Sequence, residues 1–326
     1  MSAQIETAGH PALAGIPLVL GGNVFGWTAH GDEGLAVLDA FYEAGGRMID
    51  TADVYSAWIP GHKGGESESF IGQWLASRGV RGDMRIHTKT GMLPRGGGQH
   101  TFGAEGDPGL YTPQEVLVSL GASLDRLQTD YLDLYYAHRD YGQLEIAQIV
   151  EAFEGAVSSG KVRELGASNF SAERLVAALE VADARGVTPF TVLQNQYNLV
   201  ARDAYGPDLQ RLCTGRGIAM LPFFGLASGY LTGKYRKPED FEQGNRSHRV
   251  KDFDEAGRPV LAEMDRIAEE TGATLPAIAL AWLVRQPGIP APIASARTVE
   301  QLEQMLEFTT LELSDDQLDR LTVAGR

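Results

Sequence analysis

The chain carries a single cysteine, Cys213, among 326 residues. A disulfide framework is thereby excluded, and a reducing compartment, the cytoplasm, is the expected location. Positive charge is also scarce: 28 Lys and Arg stand against 43 Asp and Glu, a formal net charge of -15. That balance argues against nucleic acid or an anionic membrane surface as a partner, and it also serves solubility. No stretch approaches the roughly 18 apolar residues of a membrane span. The opening MSAQIETAGHPALAG lacks a basic region followed by an apolar core, so a secretory leader is not expected. The first apolar run is followed by LGGNVFGW, which does not match G-x-G-x-x-G, so an open doubly wound sheet is the weaker fold reading. Nothing in the composition marks a linker between domains, and no metal site is expected.

What the chain does have is alternation. Short β-rich runs occur at 17–22, 47–52, 85–90, 131–138, 162–169, 192–198, 218–224 and 291–296. Between them lie segments with apolar residues three and four apart, at 33–45, 66–79, 112–127, 145–160 and 171–186, then about 203–216, 257–271, 275–286 and 298–308. Several carry end signals. Thr112-Pro113 is a cap followed by a first-turn proline, Ser171 is a cap, and Gly79, Gly160 and Gly186 are stops. Eight strand and helix repeats in one domain spanning residues 1–326 predict an α/β fold of the (β/α)8 TIM-barrel type. Two connections are too long to be simple turns. One covers 91–111, after strand three, and the other covers 226–256, after strand seven. Between 234 and 251 the second holds six basic residues (Lys234, Arg236, Lys237, Arg246, Arg249 and Lys251) against three acids, a local reversal of sign. Either a solvated loop or a clamp over an anionic ligand accounts for it.

In such a barrel the active site lies at the C-terminal ends of the strands. Strand two ends in Asp50, with Tyr55 just beyond; strand three ends in Lys89 and strand four in His138. Strand five ends in Ser168 and Asn169, and strand six carries Gln194. A lone acid, tyrosine or histidine at such a place is often a turn, packing or core residue. A lysine in a strand buried on both faces is costly without a partner, and Asp50 on the neighbouring strand can supply one. An ammonium beside a phenol favours the phenolate, and an imidazole can hydrogen-bond a substrate oxygen. Such a group can deliver a proton to an oxygen on which negative charge is building, as carbonyl reduction requires.

These segments resemble the aldo-keto reductase superfamily, bacterial members included, over essentially the whole chain. The resemblance rests on DTADVY, TKTG, LDLYYAH, GESESFIG, GASNF, LQNQYN and GYLTGKY, occurring in order at the strand ends. It implies an NADPH-dependent enzyme that reduces an aldehyde or ketone, a small-molecule carbonyl substrate, with Tyr55 as general acid, Lys89 and Asp50 behind it, and His138 orienting the carbonyl. It implies cofactor contacts from Gly22, Asn23, Ser168, Asn169 and Gln194, a stacking ring at Phe223, and a fold-over segment with Leu226, Ser228 and Lys234. Ser295, Arg297, Gln301 and Gln304 match the region of the 2′-phosphate and adenosine, and Arg297 favours NADPH over NADH. This chain has Phe224-Gly225 where the family more often has Ser-Pro. It has Gln304-Met305 where Glu and Asn are frequent. A substrate pocket is expected from Asn23, Trp27, Trp58, Tyr141 and residues 91–111. The short tail after LELSDDQLDRL is not expected to close it. Two other readings remain: a barrel aldolase with Lys89 forming a Schiff base, and a non-catalytic cofactor-sensing subunit of a channel. Oligomeric state is not legible.

Overall fold

A computed structural model of the chain describes residues 10–94, 97, 107–242 and 250–325. Eight strands run parallel in one sheet. They are β1 (Val19–Gly21), β2 (Met48–Asp50), β3 (Arg85–Thr90), β4 (Leu134–Ala137), β5 (Leu165–Ser168), β6 (Phe190–Gln194), β7 (Ala219–Met220) and β8 (Ile293–Ala294). Neighbours pair in chain order from β1 to β7, and β8 returns to pair with β1 through Val19 and Ile293. On the far side, Ile293 N–H donates to Pro222 O at 2.9 Å, just past the end of β7, and so closes the ring. The (β/α)8 barrel expected from the sequence is therefore the fold.

The helices are α1 (Gly31–Glu43), α2 (Glu66–Arg78), α3 (Pro113–Leu127), α4 (Ile146–Ser158), α5 (Ala172–Arg185) and α6 (Pro207–Arg216). They continue with α7 (Asp254–Thr271), α8 (Leu275–Leu283), α9 (Val299–Leu306) and α10 (Asp315–Ala324). The caps act as their residue types dictate. Thr112 Oγ1 accepts from Glu115 N–H, Ser171 Oγ accepts from Arg174 N–H, and Gly79 and Gly186 take the left-handed conformation. The helix expected from about 203 begins at Pro207 instead. Residues 203–205 form a separate 3-10 turn, and Gly206 before the proline is extended. α10 was not anticipated at all. Ser314 and Gln317 form a reciprocal capping box at its start, and its Thr322 hydroxyl accepts from Trp282 Nε1 at 3.0 Å. Among the described residues no helix is long and apolar enough to cross a membrane.

Two cores result. The larger lies between strands and helices. The smaller fills the barrel with Val19, Met48, Leu134, Tyr136, Val192, Ala219, Leu221, Ala291 and Ile293. Gly166 on β5 has to be a glycine, because a Cβ there would sit 2.3 Å from the Tyr136 ring. Ala12 and Leu13 join this inner cluster and plug the barrel from the N-terminal side. They are held by Ala12 O, which accepts from His87 Nε2 at 2.8 Å, and by Glu164, which accepts from Ala12 N–H and pairs with His10 Nδ1 at 2.8 Å. The strands then turn polar towards their C-terminal ends.

Candidate active site

Strand alternation puts Gly21, Asp50, Lys89 and Gln194 at the inward, C-terminal end of the barrel. Asp50, Lys89, Ser168 and Gln194 are all buried there. The Lys89 ammonium donates to Asp50 Oδ2 at 2.6 Å, to the Thr51 carbonyl at 2.8 Å and to the Tyr55 hydroxyl at 2.9 Å. All three of its N–H bonds are thereby used. Gln194 Nε2 donates to the other Asp50 oxygen at 2.9 Å. Burial pulls the Lys89 pKa below that of an ordinary lysine, and the Asp50 carboxylate opposes that pull. The Tyr55 oxygen accepts from Lys89, so its own proton is left to point elsewhere. Its contact with Asp50 Oδ2 is 3.4 Å, long for an O–H···O bond, which leaves the phenol proton deliverable to a closer acceptor.

Tyr55 sits on a turn whose next residue, Ser56, has φ 74°. The His138 ring stands 6.1 Å from the Tyr55 ring, edge on. Trp58 meets Tyr55 at 6.1 Å between centroids, and Trp27 meets Trp58 at 5.9 Å. Asn169 Nδ2 donates to the His138 carbonyl and to Ser168 Oγ, both at 3.0 Å. Non-glycine residues with positive φ gather at this end: Ser56, Asn169, Phe224, Ala227 and Ser228. Each such residue costs about 1–3 kcal/mol, which the surrounding packing must offset.

A cavity of about 1130 Å³ joins these groups. Asp50, Tyr55, His138, Ser168, Asn169 and Gln194 line it near the barrel axis. Phe223, Leu226, Ser228 and Lys234 continue the wall after β7, and Asn23, Ser295, Arg297, Gln301 and Gln304 complete it beside β8 and α9. Trp27, Trp58 and Met92 line the remaining part. Lys89 lies behind Tyr55, off the wall. Two expected residues do not reach it either. Gly22 turns the other way: a Cβ there would meet the Asp50 carbonyl at 2.8 Å. Gly21 lines the cavity in its place. Tyr141 is buried, its hydroxyl bonded to the Gly91 carbonyl and its ring 5.2 Å from Tyr111.

The basic loop after β7 divides. Lys234 reaches the cavity wall, whereas Arg236 turns out to Asp265 on α7 at 2.7 Å. Arg246 and Arg249, like residues 95–96 and 98–106 of the earlier loop, lie outside the described residues. Sequence reasoning also missed Arg139 and Asp140 on the wall, although both follow directly on His138. Asp140 is held by Arg174 through contacts of 2.7 to 3.0 Å.

Lys234 and Arg297 bring positive charge to this cavity, as an anionic dinucleotide would require. A Cβ at Gly21 would lie 2.4 Å from Ser295 Oγ, so the chain comes very close there and leaves the cavity open. Ser295 in turn donates to Asn23 Oδ1 at 2.8 Å. Arg297 stands exposed beside the capped N-terminus of α9, where Thr298 accepts from Gln301 N–H, and a phosphate would meet both guanidinium and helix dipole. Among the described residues no group of three or more His, Cys, Asp or Glu could hold a metal ion.

Known proteins resemble this chain over nearly its whole length. The model of the Aldo/keto reductase family matches residues 17–325. Norsolorinic acid reductase stcV of Emericella nidulans is 34% identical over 94% of this chain and 78% of its own length. Aldo-keto reductase str7 of Strobilurus tenacellus is 31% identical over 90% of this chain and 81% of its own. An aryl-alcohol dehydrogenase [NADP(+)] of Phanerodontia chrysosporium is 29% identical over 94% and 81%. These three relatives are fungal. With the barrel, the four residues at its mouth and a match over nearly its entire length, the chain belongs to the aldo/keto reductase family of oxidoreductases.

Proposed function

We propose that this cavity reduces the carbonyl of an aldehyde or ketone to an alcohol, with NADPH as the hydride donor and Tyr55 as the proton donor. The observation that carries this reading is the Lys89 ammonium, fully buried and shared among Asp50, Thr51 and Tyr55, directly behind a phenol that faces the cavity. The nicotinamide dinucleotide would supply the hydride, held by Ser168, Asn169 and Gln194, stacked on Phe223 and anchored at Ser295, Arg297 and Gln301. The protein's own groups do the rest. His138 offers a hydrogen bond to the carbonyl oxygen and fixes its direction. The phenol O–H bond of Tyr55 breaks as its proton moves to that oxygen. The resulting phenolate keeps Lys89 as its hydrogen-bond donor, so the charge left on Tyr55 is met by a fixed cation in a dry site. In alcohol oxidation the same pair works in reverse.

One relative is named for aryl alcohols, and here Trp27, Trp58 and Tyr55 form a chain of edge-to-face rings beside the transferred proton. An aryl carbonyl would extend that arrangement. The aldolase reading needs Lys89 Nζ in contact with a substrate carbonyl. That nitrogen is buried and all of its N–H bonds are taken, which weighs against it.

The test is Tyr55→Phe. Carbonyl-dependent NADPH oxidation should fall by about 10²–10⁴-fold, with NADPH affinity unchanged within about threefold. Running the assay on size-matched aryl and alkyl aldehydes reads the substrate class. Activity surviving in the phenylalanine variant sinks the assignment of the acid.

A further inference from the structure

One buried titratable group next to the site has no part in the reaction described above. Asp53, in the middle of DTADVY, is 3% exposed. Its backbone N–H donates to the Lys89 carbonyl at 3.2 Å. Its carboxyl hydrogen-bonds the Thr90 side chain, while its Oδ1 has no hydrogen-bond partner. Thr90 is itself a junction. Its carbonyl accepts from His138 N–H at 3.0 Å and from the Tyr111 hydroxyl at 3.3 Å. That single Tyr111 proton is shared with the Arg139 carbonyl, the nearer acceptor at 3.0 Å. One side chain and one backbone amide therefore tie the turn of Tyr55 to the strand of Lys89, and through Thr90 to the strand end of His138.

We propose that Asp53 is a positioning residue for this reaction, acting through Thr90 and the Lys89 backbone to hold Tyr55, Lys89 and His138 in one geometry. The proposal rests on the reading of Tyr55 as the proton donor.

Among the described residues, the titratable groups whose charges act on Asp53 come from several elements. Glu68 on α2 is fully buried and accepts from Thr88 Oγ1 and from Arg126 Nε on α3, both at 2.6 Å. Lys89 lies along β3, Tyr135 on β4, and Tyr111 ahead of α3. Arg126 is committed to Glu68, and Lys89 to Asp50 and Tyr55. Asp53 is thus left beside another carboxylate with one oxygen unmatched, the setting that penalises an ionised acid. Burial, and next the Glu68 charge, push the Asp53 carboxyl up to about 7. Below that pH it is a neutral acid bonded to Thr90. Above it a second negative charge appears beside Glu68, and the turn under Tyr55 loosens.

The experiment compares Asp53→Ala and Asp53→Asn with the wild type and with Tyr55→Phe, reading kcat, KM, NADPH affinity and melting temperature across pH. Asp53→Ala should lower kcat by roughly 10–100-fold, as expected when a reacting group moves by an ångström or less, with NADPH affinity within about threefold of wild type. Asp53→Asn, which keeps shape and neutrality, should recover most of that loss. Its kcat should hold up above about pH 7, where the wild-type value declines. An unchanged kcat in Asp53→Ala overturns the proposal. So do identical pH profiles for wild type and Asp53→Asn, or parallel loss of melting temperature and NADPH binding in both variants, which would mean a structural role only. If Tyr55→Phe stays active, the reading of the acid has failed instead, and the two failures are distinguishable.

Discussion

Lys89→Met separates the electrostatics of the site from its packing. Methionine is similar in length and apolar, so the buried volume stays nearly filled. What disappears is the cation 2.6 Å from Asp50. The carboxylate of Asp50 stays buried, with Gln194 Nε2 at 2.9 Å as a remaining donor. Removing one member of a buried ion pair costs about 3–5 kcal/mol, most of it from the charge left behind. For a chain of 326 residues that corresponds to a fall in melting temperature of roughly 4–7 °C, and the Gln194 bond places the expected value in the lower half. Adding Asp50→Asn to Lys89→Met removes the orphaned charge and should return about 2 kcal/mol. Activity should not return, since the cation facing the phenol is still missing; a loss of about 10²–10⁴-fold is expected in both variants. Thermal melts and carbonyl-dependent NADPH oxidation read the two effects separately. A double variant no more stable than Lys89→Met would refute the reasoning, because the cost would then lie in packing and not in an unpaired carboxylate.

Two further outcomes follow from other parts of the barrel. Arg297→Met should weaken NADPH by roughly 10–100-fold, the worth of a hydrogen bond to a charged group, and leave NADH nearly unchanged; calorimetric titration of both cofactors checks it, and equal weakening would place the 2′-phosphate elsewhere. At the closed end, the hydrogen bond that His10 donates to Glu164 raises the His10 pKa above 6.5, and Glu164 is held below 4.5 by His10 and Thr191 in spite of its burial. The stability this pair supplies is present below the ordinary histidine pKa and fades as pH rises through the raised one; at low pH it fades again as Glu164 protonates. His10→Ala should therefore lower the melting temperature more at about pH 5.5 than at about pH 8.5, and an equal drop at both would exclude the ion pair as the cause.

Much of this was legible in the sequence because barrel strands announce themselves in short apolar runs with polar ends. All eight strands fall within the expected runs or, for β6, begin two residues early. Asp50, Lys89 and His138 stand at or near the C-terminal ends of their β-rich runs, and Tyr55 stands in the turn just after the second run, which is why these four stood out in the sequence. The failures have local causes. Gly21 and Gly22 are adjacent identical residues at a strand end, and only the phase of the two-residue alternation decides which one faces inward. Tyr141 looks like a mouth aromatic, but its hydroxyl finds the Gly91 carbonyl, a contact between residues far apart in the chain. Arg236 meets Asp265 on α7 in the same unforeseeable way. α10 has few apolar residues in its ten, so its pattern is faint, and its cap was the better signal. Asp53 was passed over because nothing in spacing distinguishes an acid turned towards solvent from one turned under the turn.

The pairing of β1 with β8 has a consequence for how the molecule comes into being. Val19 and Ile293 are far apart in the chain, so one side of β1 stays unpaired until every strand between them has been made. Gly21, Asn23 and Ser295, which together form one wall of the cavity, are brought together by that same late event. A nascent chain can therefore bring Asp50, Lys89 and His138 together before that wall of the cavity exists.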